Sequence, residues 1–259
     1  MNPAFTYVYD ECTYEARHER TMAELEAALS LRGMEGRVAR LSLFRSAREF
    51  AEDIERFGSK NVIFVGTDLT LSSALEYLMD VPVTVGFVPL EEPTMIGQTL
   101  GIPVGVAAVD VLAARYVECL DVGLADDKPF FCEIVVPRGD ARMEIEGKYR
   151  ISPAIKGAMS IRNLCGCSND AAMMANAKDG LLEVVIQAEV QEGSWLLRKK
   201  SLSETRLTCS WGRLVSEKPT TVVIDGRAST DLPIVIGIKP AALHMITGRG
   251  RLRPREEVA

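Results

Sequence analysis

The sequence lacks the two nucleotide-binding motifs that are most readily recognised. It contains no Gly-x-Gly-x-x-Gly fingerprint and no Gly-Lys-Ser/Thr phosphate loop. It has only two histidines, His18 and His244, and nothing around them indicates a Ser-His-Asp arrangement. These absences disfavour the dinucleotide-binding, P-loop and triad-hydrolase classes.

Paired cysteines, excess positive charge and long apolar runs are lacking as well. The only close pair among six cysteines is Cys165-Gly166-Cys167, whose spacing does not match a zinc knuckle, so reduced thiols are the simplest interpretation. The net charge of −6 disfavours a large nucleic-acid surface, and no apolar run approaches the roughly 18 residues that span a bilayer. We therefore expect a cytoplasmic protein with no nucleic-acid partner and no transmembrane segment. Residues 249–255 are expected to form a solvated basic tail.

The most informative stretch that is present is Val62-Ile63-Phe64-Val65-Gly66-Thr67-Asp68-Leu69-Thr70. Its four leading apolar residues predict a buried strand, which runs directly into a short polar turn. Helical spacing follows at once, with Leu71, Ala74, Leu75 and Leu78 on one face. A strand, a turn and a helix N-terminus together form a natural phosphate-binding corner, because the first backbone N–H groups of a helix attract anions.

The first half of the chain alternates between strand and helix patterns. Strands are predicted at 6–9, 37–44, 62–65 and 83–88, and helices at 14–31, 47–58, 71–78, 93–100 and 107–120, the second of them opened by a capping box with Ser46 as N-cap. This alternation predicts βαβ units and a mainly parallel sheet. Ligands of such sheets bind beyond the carboxyl ends of the strands, where residues 66–70 and 90–94 are expected to lie.

The second half reads as strands separated by turns. The predicted strands are 130–136, 143–151, 158–163, 181–190, 204–214, 220–224 and 234–238, with turn signals at Asp179-Gly180 and Asp225-Gly226. The fold class is therefore α/β plus β. We expect a mainly parallel nucleotide-binding-type domain at residues 1–123, followed by an antiparallel β-sandwich-like domain at 124–259.

Several segments resemble, in the expected order, the catalytic domain of the diacylglycerol kinase family, relatives of NAD kinase. Residues 66–70 resemble the family's Gly-Gly-Asp-Gly-Thr loop, and 83–90 its apolar strand ending in Pro-Leu. Further similar segments are Leu100-Gly101-Ile102-Pro103, Leu120-Asp121-Val122-Gly123, residues 179–185, Val223-Ile224-Asp225-Gly226, Pro233 and residues 239–243. The resemblance covers nearly the whole chain. It implies transfer of the ATP γ-phosphate, assisted by magnesium, to a lipid hydroxyl.

The resemblance also implies site residues. The nucleotide would be bound by Gly66, Thr67, Asp68, Thr70, Glu92 and Thr94, with Asp68 holding magnesium. Asp68 and Asp225 would be the catalytic residues, Asp225 as the general base that takes the hydroxyl proton. Structural roles stay open beside these: a helix N-cap for Thr70, a capping turn carboxylate for Asp68 and a hairpin turn for Asp225.

The chain departs from the family pattern in three separate elements of that site. Thr67 and Leu69 replace glycines, and the segment from Glu91 to Met95 replaces a Gly-Thr-x-Asn-Asp run. Arg227 stands where the family has Glu. Carboxylates in a phosphate pocket repel ATP unless a metal intervenes.

Three interpretations follow. One is a lipid kinase that uses ATP and magnesium on a lipid-like acceptor, with catalysis weak or lost. Another is a non-catalytic module, without cofactor, that keeps the fold and binds a nucleotide, a lipid or a protein. A third interpretation, from another class, is an assembly protein, such as a homodimer, that is joined through an exposed strand of the β domain.

Overall fold

The protein is described from a computed structural model that covers residues 5–40, 47–79, 81–137, 141–153, 157–164, 175–192 and 199–252. The Cys165-Cys167 pair, the end of the strand predicted at 37–44 and the predicted N-cap Ser46 lie outside these residues. The described chain forms two compact units. The first holds the residues up to Leu120 and those from Ala241 onward, and the second holds those between Asp121 and Pro240.

The first unit is built on parallel strands. Its strands are β1 (Phe5–Tyr9), β2 (Gly36–Arg40), β3 (Asn61–Gly66) and β4 (Thr84–Pro89), and its helices are α1 (Glu19–Leu31), α2 (Ala47–Phe57), α3 (Asp68–Leu78), α4 (Met95–Leu100) and α5 (Ala108–Ala114). The strand order is β2-β1-β3-β4, and all three pairings are parallel. The last residues of β16 (Ile234–Ile246) add a further parallel strand beside β4.

Buried apolar residues explain the central elements of this unit. All six residues of β3 are buried, as expected for a parallel strand covered on both faces. On α3 the buried positions include Leu71, Ala74, Leu75 and Leu78, which confirms the predicted apolar face. The corner between β3 and α3 therefore rests on a firmly packed strand and helix.

The second unit consists of antiparallel strands. They are the end of β5 (Val117–Ala125), β6 (Lys128–Phe130), β7 (Glu133–Val136), β8 (Arg142–Ile145), β9 (Tyr149–Ile151), β10 (Ala158–Arg162), β11 (Leu182–Glu192), β12 (Lys199–Cys209), β13 (Trp211–Val215), β14 (Thr221–Ile224), β15 (Ala228–Asp231) and the start of β16. A six-stranded sheet has the order β12-β11-β10-β7-β14-β15. Strands β9, β8, β13 and β16 form a second antiparallel group. Side chains from both groups fill one apolar core, so the predicted fold class is confirmed.

Residues that follow β16 pack on α4. The N–H of Gly248 donates to the carbonyl oxygen of Leu100, and a Cβ placed on Gly248 would lie 1.8 Å from the carbonyl oxygen of Gly101. Arg251 forms an ion pair with Glu118, and these side chains are only 7% and 5% exposed. The predicted solvated tail is therefore wrong at Arg251, which is held by a buried carboxylate.

One stretch of the described residues, Met95–Ala114, is long and apolar enough to cross a membrane by length and composition. The structure divides it between α4 and α5, because Gly101 adopts a left-handed conformation (φ 67°) after Leu100. A spanning helix needs about 20 continuous residues. With half of the stretch buried inside the protein, it is weak evidence for a membrane span.

Candidate functional site

The corner between β3 and α3 is closed by hydrogen bonds within itself. Thr67 is the N-cap of α3, and its backbone N–H donates to Thr70 Oγ1 at 2.8 Å. The N–H of Thr70 in turn donates to the carbonyl oxygen of Thr67 at 3.0 Å. A bound phosphate would need N–H groups of this kind to be available. Thr70, which is 1% exposed, therefore acts as a capping residue in this structure.

Asp10 completes this corner from the end of β1. The hydroxyl of Thr70 donates to the carboxylate of Asp10. A Cβ placed on Gly66 would lie 2.3 Å from Thr70 Oγ1 and 2.8 Å from the Cβ of Asp10. Glycine is thus required at position 66 by the contact between Asp10 and Thr70, without any phosphate. Sequence reasoning missed Asp10, although its position after a parallel strand could have indicated it.

Asp68 caps the neighbouring helix α4. Its Oδ1 accepts the hydroxyl hydrogen of Thr94 at 2.5 Å, and its Oδ2 accepts the N–H groups of Met95 at 2.6 Å and Ile96 at 3.2 Å. The first N–H groups of α4 carry partial positive charge, so they favour a carboxylate at this point. Burial nevertheless raises the pKa of Asp68 above the usual carboxyl value, since these hydrogen bonds offset the loss of water only in part.

Thr94 links Asp68 to the start of α4. Its Oγ1 accepts the N–H of Gly97 at 2.9 Å while its hydroxyl hydrogen goes to Asp68. The structure therefore brings together two of the predicted nucleotide-binding residues, which come from separate segments of the sequence. Their contact is one between a capping side chain and a helix N-terminus.

The two glutamates before Thr94 take different environments. Glu91 Oε1 lies 2.6 Å from Arg17 Nη2 and 3.1 Å from His18 Nε2. Glu92 is exposed, and its Oε2 lies 3.4 Å from Gln98 Nε2. The charge of Glu92 also contributes to raising the pKa of Asp68. Glu91 is thus balanced by the guanidinium of Arg17, whereas Glu92 adds negative charge near α4.

This corner fits a magnesium-bound triphosphate poorly. Among the described residues no group of three or more His, Cys, Asp or Glu side chains is arranged to hold a metal ion. Magnesium at Asp68 would compete with three hydrogen bonds for the lone pairs of one carboxylate, and a phosphate would meet the carboxylates of Asp10 and Asp68. These residues make the contacts expected of helix caps rather than of a metal site.

Asp225 lies in the second unit, in the turn between β14 and β15. Its φ of 49° and the φ of 66° at Gly226 are typical of an Asp-Gly hairpin turn. Its carboxylate accepts the N–H groups of Phe131 at 2.8 Å, Cys132 at 2.9 Å and Glu133 at 3.0 Å. Both carboxylate oxygens are therefore directed at the backbone that joins β6 to β7. The next residue but one, Arg227, is exposed.

The second unit also contains a buried ion pair that sequence reasoning did not find. Arg162 Nε lies 3.4 Å from Glu133 Oε2, and both side chains are 6% exposed. The two residues stand opposite each other in the pairing of β10 with β7. Since Glu133 also donates its N–H to Asp225, the Asp225 turn and the ion pair support the same strand.

No protein-family model and no curated protein matches the sequence. Solved structures do match. One described as a diacylglycerol kinase from Bacillus anthracis strain Sterne superposes with a TM-score of 0.74, at 13% identity, over 96% of this chain and 98% of that chain. The chain has the diacylglycerol kinase fold. Two more structures from the same organism, described as candidate diacylglycerol kinases, give TM-scores of 0.75 and 0.73 at the same identity and coverage.

The predicted resemblance is thus confirmed at the level of the fold. At 13% identity, the similarity to these structures establishes the fold and nothing about function. The roles of the individual site residues follow only from their own contacts. These residues are Gly66, Thr67, Asp68, Thr70 and Thr94 in the first unit and Asp225 in the second.

Proposed function

We propose that this chain is a divergent member of the diacylglycerol kinase family in which phosphoryl transfer is weak or lost. In this proposal it acts as a non-catalytic binding module that keeps the kinase fold. The observation that carries the proposal is the position of Asp68, whose carboxylate caps α4 through Thr94, Met95 and Ile96. A residue in that position stabilises the fold without a metal ion.

Helix capping and a magnesium ion would compete for the carboxylate of Asp68. A hydrogen bond to a charged group contributes about 1.5–3 kcal/mol, and Asp68 accepts three of them. A magnesium ion at Oδ2 would compete with the N–H groups of Met95 and Ile96, and one at Oδ1 would share that oxygen with the hydroxyl of Thr94. The neighbouring carboxylate of Asp10 adds repulsion against a triphosphate. Both terms disfavour Mg-ATP at this corner.

The remaining features of the proposal follow the family resemblance. Residues 1–123 would be the former nucleotide domain and the chain from 124 the substrate-side domain, except that the residues from Ala241 onward pack with the first unit. The ligands to consider are a nucleotide, a lipid-like molecule or a protein, and the proposed location is the cytoplasm. Asp225 would act as a structural carboxylate, since its oxygens accept three backbone N–H groups.

The test is a titration with ATP in the presence and absence of magnesium, followed by thermal unfolding and calorimetry. A ligand at 100 times its dissociation constant stabilises a protein by about 2.7 kcal/mol. We expect no magnesium-dependent saturable stabilisation at millimolar ATP, for the wild type or for Asp68→Asn. The matched control is Asp127→Asn, which makes the same chemical change at an exposed residue between β5 and β6.

Saturable binding of Mg-ATP that is abolished by Asp68→Asn and kept by Asp127→Asn would overturn the proposal. It would favour the second candidate, an active lipid kinase, which is supported by the fold and by the contact between Asp68 and Thr94. That candidate predicts transfer of a labelled γ-phosphate to dispersed diacylglycerol. We expect no transfer above the level of a heat-inactivated sample.

A further inference from the structure

Strand β12 forms one edge of the six-stranded sheet. It is paired with β11 along all eleven of its residues, from Lys199 opposite Glu192 to Cys209 opposite Leu182. Within the part of the chain that the structure describes, no strand pairs with its other side. An edge of this length offers a row of backbone N–H and C=O groups as a template for another strand.

The two faces of β12 are distinct, which restricts how another copy can pair with it. Thr205, Leu207 and Cys209 stand opposite Ile186, Val184 and Leu182 of β11, and the latter two belong to the apolar core. Glu204, Arg206 and Thr208 therefore lie on the other face. Residues directly opposite each other in a sheet share a face. If two copies pair about a two-fold axis perpendicular to the sheet, one residue must stand opposite the same residue of the other copy. The axis then passes midway between these two residues, and we name the axis after them.

Among axes at residues 203–206, charge favours one. An axis at Glu204 would place two glutamates opposite each other, and an axis at Arg206 would place two arginines opposite each other. An axis at Ser203 would oppose Arg206 with Lys200. An axis at Thr205 places Glu204 of each copy opposite Arg206 of the other, so two attractive pairs form by symmetry.

These two side chains are already ordered on the surface of the strand. Arg206 Nε donates to Glu204 Oε1 at 2.6 Å, and Gln187 Nε2 donates to Glu204 Oε2 at 3.1 Å. The hydrogen bonds hold Glu204 and Arg206 side by side on the outer face. Little side-chain freedom remains to be lost when a second copy arrives, which favours pairing.

We propose that two copies of this chain associate through antiparallel pairing of their β12 strands, with Thr205 on the two-fold axis. The strand that pairs with this edge is β12 of a second copy, because the two-fold symmetry places Glu204 of each copy opposite Arg206 of the other. Residues 201–209 of each copy pair, giving about nine backbone hydrogen bonds and joining the two six-stranded sheets. The proposal is independent of whether the protein binds ATP.

The first test is disulfide formation in Thr205→Cys. On the axis, the two Cα atoms at position 205 would be about 4.5–5.5 Å apart, which lies within the range for a disulfide. The control is Thr208→Cys, also exposed, whose two copies would be about 20 Å apart along the strand. Under mild oxidation we expect a reducible dimer band for Thr205→Cys well above the wild-type level, and none for Thr208→Cys. Equal cross-linking of the two variants would overturn the proposed register.

The second test is the mass of the particle in solution by sedimentation. We expect twice the monomer mass of 28.4 kDa at micromolar concentrations. Glu204→Lys should weaken the dimer about tenfold, since two attractive pairs become repulsive. The exchange of charges in Glu204→Arg with Arg206→Glu should restore it, and exposed Glu55→Lys on α2 is the matched control.

Two outcomes would refute the dimer. One is a wild-type chain that stays monomeric up to about 100 μM, because the dissociation constant of the dimer would then be too high for a specific association. The other is a charge-exchange variant that associates no better than Glu204→Lys. Circular dichroism checks that each variant is folded. If Glu204→Lys fails to fold, the cysteine pair and the charge-exchange variant still decide the question.

Discussion

Replacing Asp68 by alanine should destabilise the first unit even though no ligand is bound. The substitution leaves the hydroxyl of Thr94 and the N–H groups of Met95 and Ile96 without their acceptor. Thr94 and Ile96 are buried, while Met95 is half-buried and can gain a water partner. Each buried polar group left without a partner costs about 1–3 kcal/mol.

The expected net loss is smaller than the sum of these terms, because alanine also removes the cost of burying a carboxylate. We expect a loss of about 2–3 kcal/mol in the free energy of unfolding at pH 7. Asp68→Asn keeps one oxygen for the two N–H groups and can donate to Thr94, so its loss should stay below about 1 kcal/mol. The comparison of the two variants isolates the capping role from the charge.

The assay uses two signals that report on different parts of the chain. All described α-helices lie in the first unit, so circular dichroism at 222 nm follows its unfolding in urea. Trp211 lies in the second unit, and its fluorescence can be followed alone in a Trp195→Phe background. Asp68→Ala should shift the first transition and leave the second unchanged.

A stability of Asp68→Ala within about 0.5 kcal/mol of the wild type would refute the capping argument, since surface substitutions stay within that range. A metal-binding Asp68 predicts the opposite pattern. Its removal would leave the ligand-free protein as stable as before and would abolish stabilisation by magnesium and ATP. The two interpretations of this residue therefore differ in a measurement that needs no knowledge of the acceptor.

Further predictions concern pH, packing and thiols. Burial raises the pKa of Asp68 above 3.8, so the folded chain holds the carboxyl proton of Asp68 more tightly than the unfolded chain does. The stability of the wild type relative to Asp68→Asn, measured by urea unfolding, should therefore fall as the pH rises above 3.8. Gly66→Ala should cost about 1–3 kcal/mol by dichroism, since its Cβ would lie 2.3 Å from Thr70 Oγ1; a wild-type midpoint would contradict this. Asp225→Ala should shift the Trp211 transition by about 2–4 kcal/mol and Asp225→Asn by less, whereas equal losses would argue against the backbone contacts. Burial raises the pKa of the Cys209 thiol to about 11, so mass spectrometry after iodoacetamide at pH 8 should find it unlabelled while exposed Cys119 reacts.

Sequence periodicity sufficed for the elements with a strong apolar pattern. The β3 strand and the α3 helix follow from four apolar residues and a helical spacing of leucines and alanine, and both form where expected. The order of similar segments also predicted the fold, which the solved structures confirm. These features depend on local pattern, so they can be recognised without knowing which residues meet in space.

Two of the misplaced element boundaries lie near residues with unusual backbone conformations. The helix predicted at 107–120 ends at Ala114, where Arg115 adopts a left-handed conformation with φ 51°, and the strand β5 begins at Val117. A strand was predicted to end at 238, but β16 continues through Pro240 to Ile246, with φ 50° at Ala241. Neither Arg115 nor Ala241 is a residue type that signals positive φ, so nothing in the local pattern warns of these conformations.

The roles of the site residues could not be predicted because they depend on long-range partners. The sequence places a carboxylate at position 68 but does not reveal that α4 presents its N–H groups there. It likewise gives no indication that Asp10 meets Thr70 across sixty residues. Capping and metal binding use the same residue types, so only the three-dimensional partners separate them.

The ion pair between Glu118 and Arg251 has a practical consequence for anyone shortening this protein. Residues near a terminus that look basic and hydrophilic are commonly trimmed before expression, and this stretch fits that description. Cutting after Gly250 would take away the guanidinium that faces the buried carboxylate of Glu118, and removing one partner of a buried pair costs about 3–5 kcal/mol. Arg251 should therefore be kept in any trimmed version, and a loss of expression after such trimming should not be taken as a sign that a ligand is missing.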